Sequence, residues 1–427
     1  MKNKKNVALA AGSICLLAGL SIFALWEPVW SMYSTVSPPF VQCDVGLGFP
    51  SSMGAGPIGQ VPLLGGQILT SDVADSSLRT YVDYPAPYCT SSFASPNINS
   101  TTNIYGGLAQ GFDGKIYAIS ASNPQFLGDA VVEIDKTDGH VIRTLDNTSF
   151  LKALGITVDP LNGDLYIADQ NAGKVYKISD PGGCTTCAAT LFADLTVLAP
   201  AVQLAIDGLG WSPDAFSLLV AANGTDQVIL VDRNGTPSVF VNVGPGNVVH
   251  PDGIAFGCPG TPLWTPAAQF AFTNNNNGTV SEINMITRGV TSPPIASGGT
   301  RGDFVAVDDQ GSLLATQSDR VTRLSTTNGG RFCLCGGGLC SNLQCAAAAA
   351  TNCNFCVINP SVKATIKRLV KPICGNLTCN PALAQKQICS LISFVKANAP
   401  NCTGLLTAAR TLRDQLSTVS PSSCPGT

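Results

Sequence analysis

The sequence predicts an all-β chain folded as a six-bladed β-propeller, followed by a small disulfide-rich, mostly helical C-terminal domain. The main observation is a repeat. Five times an apolar strand ends in a polar turn, and the pattern V-x-x-[ILV]-[DSN] follows. The anchoring valines lie 41 to 53 residues apart, at Val131, Val175, Val228, Val280 and Val321. A period of about 40–50 residues with four short strands per unit is typical of propeller blades.

Each repeat reads as four strands joined by tight turns. Three copies are LYIADQNAGKVYKIS (165–179), LLVAANGTDQVILVD (218–232) and FAFTNNNNGTVSEIN (270–284). A Gly-containing segment such as DGLGWS (207–212) precedes each copy, and small residues there let the innermost strands approach closely. The stretch 60–104 adds QILTSD and LRTYVDY, the strands of a degenerate further blade. We therefore expect six blades over residues 60–332, with N-terminal strands completing the last blade.

The N-terminus reads as a targeting segment. Lys2, Lys4 and Lys5 precede a mostly apolar run over residues 7–26. Residues 1–31 are therefore predicted to be either a signal peptide cleaved after Ser31 or an uncleaved membrane anchor. In both cases the bulk of the chain lies outside the cytoplasm, secreted or anchored at the cell surface. Residues 32–59 then form a Pro- and Gly-rich N-terminal segment.

Cysteine usage also indicates an oxidising compartment. The chain has 17 cysteines, and sixteen remain without Cys15, which lies in the apolar run. The predicted bridges are Cys43–Cys89, Cys184–Cys187 and, because both subsets of cysteines are odd in number, one from Cys258 to the C-terminal domain. That domain, residues 333–427, contains eleven cysteines and three short amphipathic helices. Zinc or an iron–sulfur cluster at the CxxC pairs is the alternative.

Seven N-x-[ST] sequons are candidate glycosylation sites. They begin at Asn99, Asn147, Asn223, Asn234, Asn277, Asn376 and Asn401. The alternative is that Asn-Gly-Thr supplies turn chemistry in a propeller. The sequence alone leaves both readings open.

The charge distribution excludes one class of partner and restricts another. Only 12% of residues are charged, and the formal net charge is −3. No basic stripe appears in the repeats, so nucleic acid is not an expected partner. A membrane contact is expected only through the N-terminal segment, if that segment is uncleaved.

Three innermost strands begin with an acidic residue. These residues are Asp207, Asp252 and Asp303, and the repeat predicts that their carboxylates meet at one mouth of the central channel. Clustered carboxylates repel one another unless a cation joins them, and hard oxygen ligands favour Ca²⁺ or Mg²⁺. His250, two residues before Asp252, is the candidate general base or substrate ligand. The alternative is that the aspartates cap turns.

DGLGWSPD (207–214) and HPDGIAFG (250–257) resemble the six-bladed family of gluconolactonases and senescence-marker proteins (regucalcin), and the blades are similar to NHL repeats. The resemblance covers roughly residues 105–325. In that family an Asn before the Gly-Leu motif and the Asp of Pro-Asp-Gly bind a divalent cation. The resemblance thus implies cation ligands at Asp207, in place of that Asn, and at Asp252. A first-blade Glu completes the family's site, and the stretch 60–104 contains no Glu.

These observations lead to three functional hypotheses. The first is an extracellular binding or structural module, not an enzyme, whose partner is a protein, a glycan or a second copy of itself. The second is a metal-dependent hydrolase of lactones or small esters acting at the channel, with the ion polarising the carbonyl. The third is a subunit of an extracellular filament or surface layer.

Overall fold

The repeats build six sheets arranged around a closed ring. The structure is a computed structural model. It describes residues 33–51, 56–63, 66–83, 91–98, 104–121, 128–160, 162–184, 187–212, 215–242, 249–257, 270–308, 311–326, 332–333, 343, 346–347, 359–376 and 381–416. The predicted signal peptide or anchor lies outside the described residues.

The strands of each blade run outward from the channel in chain order. Blade 1 contains β3 (Pro57–Leu63), β4 (Gln67–Asp72) and β5 (Ser77–Val82). Blade 2 contains β7 (Ile104–Gln110), β8 (Ile116–Ala121), β9 (Ala130–Ile134) and β10 (Val141–Asp146). Blade 3 contains β11 (Ala153–Val158), β12 (Leu165–Asp169), β13 (Lys174–Ile178) and β14 (Thr190–Asp194). Blade 4 contains β15 (Ile206–Trp211), β16 (Ser217–Ala222), β17 (Gln227–Asp232) and β18 (Pro237–Asn242).

The last two blades borrow strands from the N-terminal part of the chain. Blade 5 contains β19 (Pro251–Gly257), β20 (Phe270–Asn275), β21 (Thr279–Asn284), β22 (Ala296–Ser297) and then β1 (Thr35–Val36). Blade 6 contains β23 (Val305–Val307), β24 (Leu313–Thr316), β25 (Val321–Thr326), β2 (Phe40–Leu47) and β6 (Ser92–Phe93). A short strand, β26 (Phe332–Cys333), pairs with the end of β19. Each inner strand contacts the next, and β23 contacts β3, so the ring is closed.

The six-bladed propeller is confirmed, but its first strand comes earlier than residue 60. Strand β2 pairs antiparallel with β25, from Phe40 opposite Thr326 to Asp44 opposite Thr322. The prolines and glycines around β2 dominated the composition of residues 32–59. Within β2, however, Phe40 packs in one apolar cluster and Cys43 and Val45 in another, so both faces of the strand are covered.

The apolar core lies between neighbouring blades. One cluster joins Tyr166 and Ala168 of blade 3 to Trp211 and Leu218 of blade 4. Because each sheet is covered on both faces, the middle strands are buried along their whole length, as β8 and β12 are. This explains why these strands read as continuous apolar runs.

Three C-terminal helices follow the propeller, as predicted. They are α1 (Pro360–Asn376), α2 (Pro381–Asn398) and α3 (Thr403–Leu416), and α2 contacts both of the others. Their buried side chains belong to one apolar cluster that also includes Leu145 and Val158 of the propeller. Among the described residues, no helix combines the length and the apolar character that crossing a membrane requires.

The described cysteines only partly follow the sequence-based scheme. Cys184 and Cys187 are joined to each other by a disulfide. Cys43 and Cys402 each take part in a disulfide as well. Cys389 is free, so the full pairing that the assignment of Cys258 required does not occur. Its side chain is exposed on the surface of α2. Cys89 and Cys258 lie outside the described residues, and the parity argument for Cys258 no longer holds once one cysteine of the tail is free.

Candidate functional site

The three predicted carboxylates meet at one mouth of the channel. Asp207 is the second residue of β15, Asp252 is the second residue of β19, and Asp303 lies two residues before β23. The carboxyl group of Asp252 is within hydrogen-bond reach of both others. All three residues are buried.

The Asp-Gly sequence brings these side chains together. The pairing register shifts at the start of both β15 and β19, so each aspartate lies at a β-bulge. A Cβ atom on Gly208 would overlap the backbone oxygen of Asp252. Glycine therefore allows the inner strands of blades 4 and 5 to approach closely enough for the two carboxylates to interact.

Amide side chains of the preceding blade hold two of the three carboxylates. Nε2 of Gln170 donates to Oδ2 of Asp207 at 3.1 Å. Nδ2 of Asn223 donates to Oδ1 of Asp252. Gln170 and Asn223 occupy the same place in their blades, directly after the second strand. The amide nitrogen of Asn223, one of the glycosylation candidates, is thus already engaged in this hydrogen bond.

The third carboxylate is paired with a cation from the same chain. A terminal guanidinium nitrogen of Arg301 donates to Oδ1 of Asp303 at 2.9 Å, and its Nε donates to Asn276 at 2.9 Å. The positive charge of Arg301 lowers the pKa of all three carboxyl groups, and Lys152 also lowers that of Asp207. The site therefore contains its own counter-charges.

Burial nevertheless dominates the titration of the cluster. It raises the pKa of Asp207 to about 7, and the charge of Asp303 adds to the effect. Burial and then the charges of Asp207 and Asp303 raise the pKa of Asp252 well above its ordinary value. Burial also raises the pKa of Asp303, against the opposing effect of Arg301. In Asp252, burial and two neighbouring negative charges thus act in the same direction and favour the protonated form.

A proton on Asp252 would turn a carboxyl group with an unsatisfied buried oxygen into a hydrogen-bond donor. Oδ2 of Asp252 is buried and accepts no hydrogen bond. Once protonated, this carboxyl group can donate to Asp207 or Asp303, which both lie within hydrogen-bond reach of it. The positive charges of Arg301 and Lys152 oppose the remaining negative charge of the cluster.

The residues present do not fit a divalent cation. The guanidinium of Arg301 occupies the place where such an ion would neutralise Asp303. Amide donors already point at the other two carboxylates. Among the described residues, no group of three His, Cys, Asp or Glu side chains has an arrangement suited to a metal. The prediction of a Ca²⁺ or Mg²⁺ site at Asp207, Asp252 and Asp303 thus places the side chains together but gives them the wrong counter-charge.

A cavity of about 350 Å³ opens beside the cluster. One wall is polar, formed by Lys152, Gln170, Asp207, Arg301 and Asp303. The opposite wall comes mainly from blades 1 and 2 and is apolar. Its side chains include Ile58, Ile104, Ile119, Leu154 and Phe304. Asp252 lies behind the polar wall and does not line the cavity.

His250 does not join the carboxylates. Its ring Nδ1 lies 3.1 Å from Oδ1 of Asp226 and 3.1 Å from the backbone oxygen of Asn223. The backbone at His250 is left-handed, with φ of 51°, and about half of the side chain is exposed. This conformation directs the ring to Asp226, so the predicted general base lies outside the cavity wall.

Sequence reasoning missed Arg301, Lys152 and Gln170. One signal was present for Gln170, since the alignment of blade repeats places it at the position of Asn223. Arg301 lies only two residues before Asp303, where its charge could have been read as a counter-ion. For Lys152 we find no sequence signal, because its position depends on the curvature of the ring.

The chain is similar in fold to a solved structure with a TM-score of 0.50. No protein-family model matches the chain, and no curated protein matches it. A structure of a luciferin-regenerating enzyme is 13% identical, with a TM-score of 0.50 over 70% of this chain and 99% of that chain. A gluconolactonase from Xanthomonas campestris is 14% identical, with a TM-score of 0.45 over 69% and 99%. A virginiamycin B lyase from Staphylococcus aureus is 13% identical, with a TM-score of 0.44 over 67% and 99%.

Proposed function

We propose that this chain is an extracytoplasmic ligand-binding propeller whose channel-mouth cavity takes one small amphipathic molecule. The observation that carries the proposal is the contrast between the two walls of one cavity of about 350 Å³. Small-molecule sites are typically concave, mostly apolar and supplied with a few convergent polar groups. The location outside the cytoplasm rests on the N-terminal sequence.

The polar wall suits an uncharged head group. Arg301 is already paired with Asp303, and Gln170 is bonded to Asp207. A charged ligand would disturb a balanced set of buried charges, whereas hydroxyl groups can both donate to carboxylates and accept from the guanidinium. We therefore expect a hydroxyl-bearing end at this wall and an apolar body against Ile104, Ile119 and Phe304.

Hexyl β-glucoside is a suitable probe, since it joins a hydroxylated ring to a short alkyl chain. Titration calorimetry should show one site per chain, and hexanoate and hexylamine should bind more weakly. Ala74 lines the cavity at its mouth and is only partly buried, so Ala74→Trp should fill the opening and abolish binding. The matched control is Ala397→Trp on the exposed surface of α2, which should bind normally. Equal binding by both variants would overturn the proposal.

A lactone hydrolase is the second candidate, and Asp207 is the observation that favours it. Its carboxyl lines the cavity, and its pKa of about 7 suits a general base at neutral pH. Asp207 would take a proton from an attacking water, and the ring oxygen of the lactone would leave as a hydroxyl group. Hydrolysis of δ-gluconolactone above the uncatalysed rate, lost in Asp207→Asn, would favour this candidate over simple binding.

A further inference from the structure

The near-neutral total charge of the chain hides a strong segregation of charge. Residues 32–331 carry 13 Lys or Arg and 25 Asp or Glu. Residues 332–427 carry eight Lys or Arg and a single acidic residue, Asp414. All the charges of this C-terminal part lie on the three helices α1, α2 and α3.

The acidic excess of the propeller is largely internal. Twelve of its acidic residues are buried, against one buried basic residue, Arg323. Asp169 is typical, since its carboxylate accepts from the backbone N–H groups of Leu151, Lys152 and Ala172. Acidic and basic residues are therefore nearly equal in number among those of the propeller that are not buried.

Most of the described basic side chains of the helices are exposed. Lys367, Arg368, Lys386, Lys396 and Arg410 are all exposed. The helices have 17, 18 and 14 residues, which corresponds to about 21–27 Å in length at 1.5 Å per residue. Eight positive charges thus share one small unit, and the described ion pair within it joins Arg413 to its neighbour Asp414.

Helix stability does not explain this arrangement. Cations in the last turn interact favourably with the helix dipole, and Lys396 and Arg413 occupy such positions. Lys363, Lys367 and Lys386 lie outside the last turns of their helices. Lys363 and Lys367 are also like charges four residues apart, a spacing that destabilises a helix.

We propose that the helical unit is a docking surface for an acidic polysaccharide. Charge complementarity carries the proposal, and it is independent of the cavity. Polar side chains such as Ser390, Ser393 and Thr407 lie exposed among the bases and suit a hydrated polymer. Membrane binding would require an apolar face as well, and Leu383 is the exposed large apolar side chain among the described residues of the helices.

The test uses heparin as the probe and the full chain as the protein. Lys386→Glu/Lys396→Glu is compared with Lys136→Glu/Arg288→Glu, which makes the same charge change at exposed sites of the propeller. The affinity of the wild type should fall as salt is raised. The helix variant should lose about tenfold or more in affinity and the propeller variant much less, since each base near an anionic surface contributes on the order of 1 kcal/mol. The neutral pair Lys386→Gln/Lys396→Gln should lose an intermediate amount with unchanged circular dichroism, which separates charge from unfolding.

Three outcomes would overturn the proposal. Equal losses in the helix and propeller variants would show that only total charge matters. Binding to phosphatidylglycerol vesicles or to DNA without binding to heparin would assign the surface to a different polyanion. Salt-sensitive self-association of the wild type in sedimentation, lost in the helix variant, would assign the surface to a second copy.

Discussion

Two buried aspartates of the same propeller, Asp146 and Asp207, titrate in opposite directions. Burial alone would raise the pKa of Asp146, but N–H donors from Ala189, Thr148 and Ser149 outweigh burial, and the pKa is lowered. Asp207 accepts one amide hydrogen bond, from Gln170, and its pKa rises to about 7. The number of donors, rather than depth alone, separates a structural carboxylate from one that can take part in chemistry.

The largest effect on stability is expected from replacing Asp159, a carboxylate with a structural role. Its side chain is fully buried and accepts two hydrogen bonds from Arg233, at 2.6 and 2.8 Å, and this guanidinium lies 4.3 Å from the ring centroid of Trp211. The contact joins blade 3 to blade 4. Asp159→Ala should lower the free energy of unfolding by about 3 kcal/mol, because it leaves a largely buried cation without its partner. Urea denaturation measures this loss.

Asp138→Ala is the matched control, since about half of that side chain is exposed. It should change the free energy of unfolding by less than about 0.5 kcal/mol. A similarly small change in Asp159→Ala would mean that the buried pair does not hold the blades together.

The carboxyl groups at the channel mouth should make the stability of the protein depend on pH. The folded pKa of Asp207 is about 7 against an ordinary 3.8, so between these values the folded protein holds a proton that the unfolded chain has released. Stability must therefore fall as pH rises through this window. Asp252→Asn removes a repelling carboxyl group and should reduce the fall in thermal midpoint between about pH 5 and pH 8.

Part of the fall in thermal midpoint with rising pH should remain in Asp252→Asn. Burial also raises the pKa of Asp72, in blade 1, to about 7, and that residue contributes with the same sign. Asp72→Asn should remove this second share and leave the share of Asp207 in place. A thermal midpoint that rises with pH in the wild type would contradict both assignments.

Replacement of His250 is expected to have the smallest effect on ligand affinity and on stability. Its ring faces Asp226 outside the cavity, so His250→Gln should leave the affinity for hexyl β-glucoside unchanged within about twofold and lower stability only slightly. Calorimetry measures the affinity. A loss of affinity as large as that caused by Ala74→Trp would show that His250 contributes to the binding site.

The sequence was sufficient for the parts of the fold that repeat. The valine period predicted the blades, and the acidic residues at the starts of three inner strands predicted that their carboxylates meet at one mouth. What the sequence did not predict depends on contacts that are distant in the chain. N-terminal strands were expected to complete the last blade, but the residues of β2, which pairs with β25, were assigned to a Pro- and Gly-rich segment before the propeller. Lys152 reaches the cavity only because the ring curves. The counter-charge at Arg301 was visible in sequence, but its effect depends on burial, which the sequence does not report.

The central claim is that raised pKa values of the buried carboxyl groups and the charge of Arg301 together balance the channel mouth, without a divalent cation. Calorimetric titration of Ca²⁺ into the purified protein at neutral pH tests this claim most directly, beside Asp207→Ala/Asp252→Ala. The account predicts no stoichiometric binding at millimolar Ca²⁺ in either protein. One ion bound per chain in the wild type, lost in the double variant, would contradict it and favour a metal-dependent hydrolase.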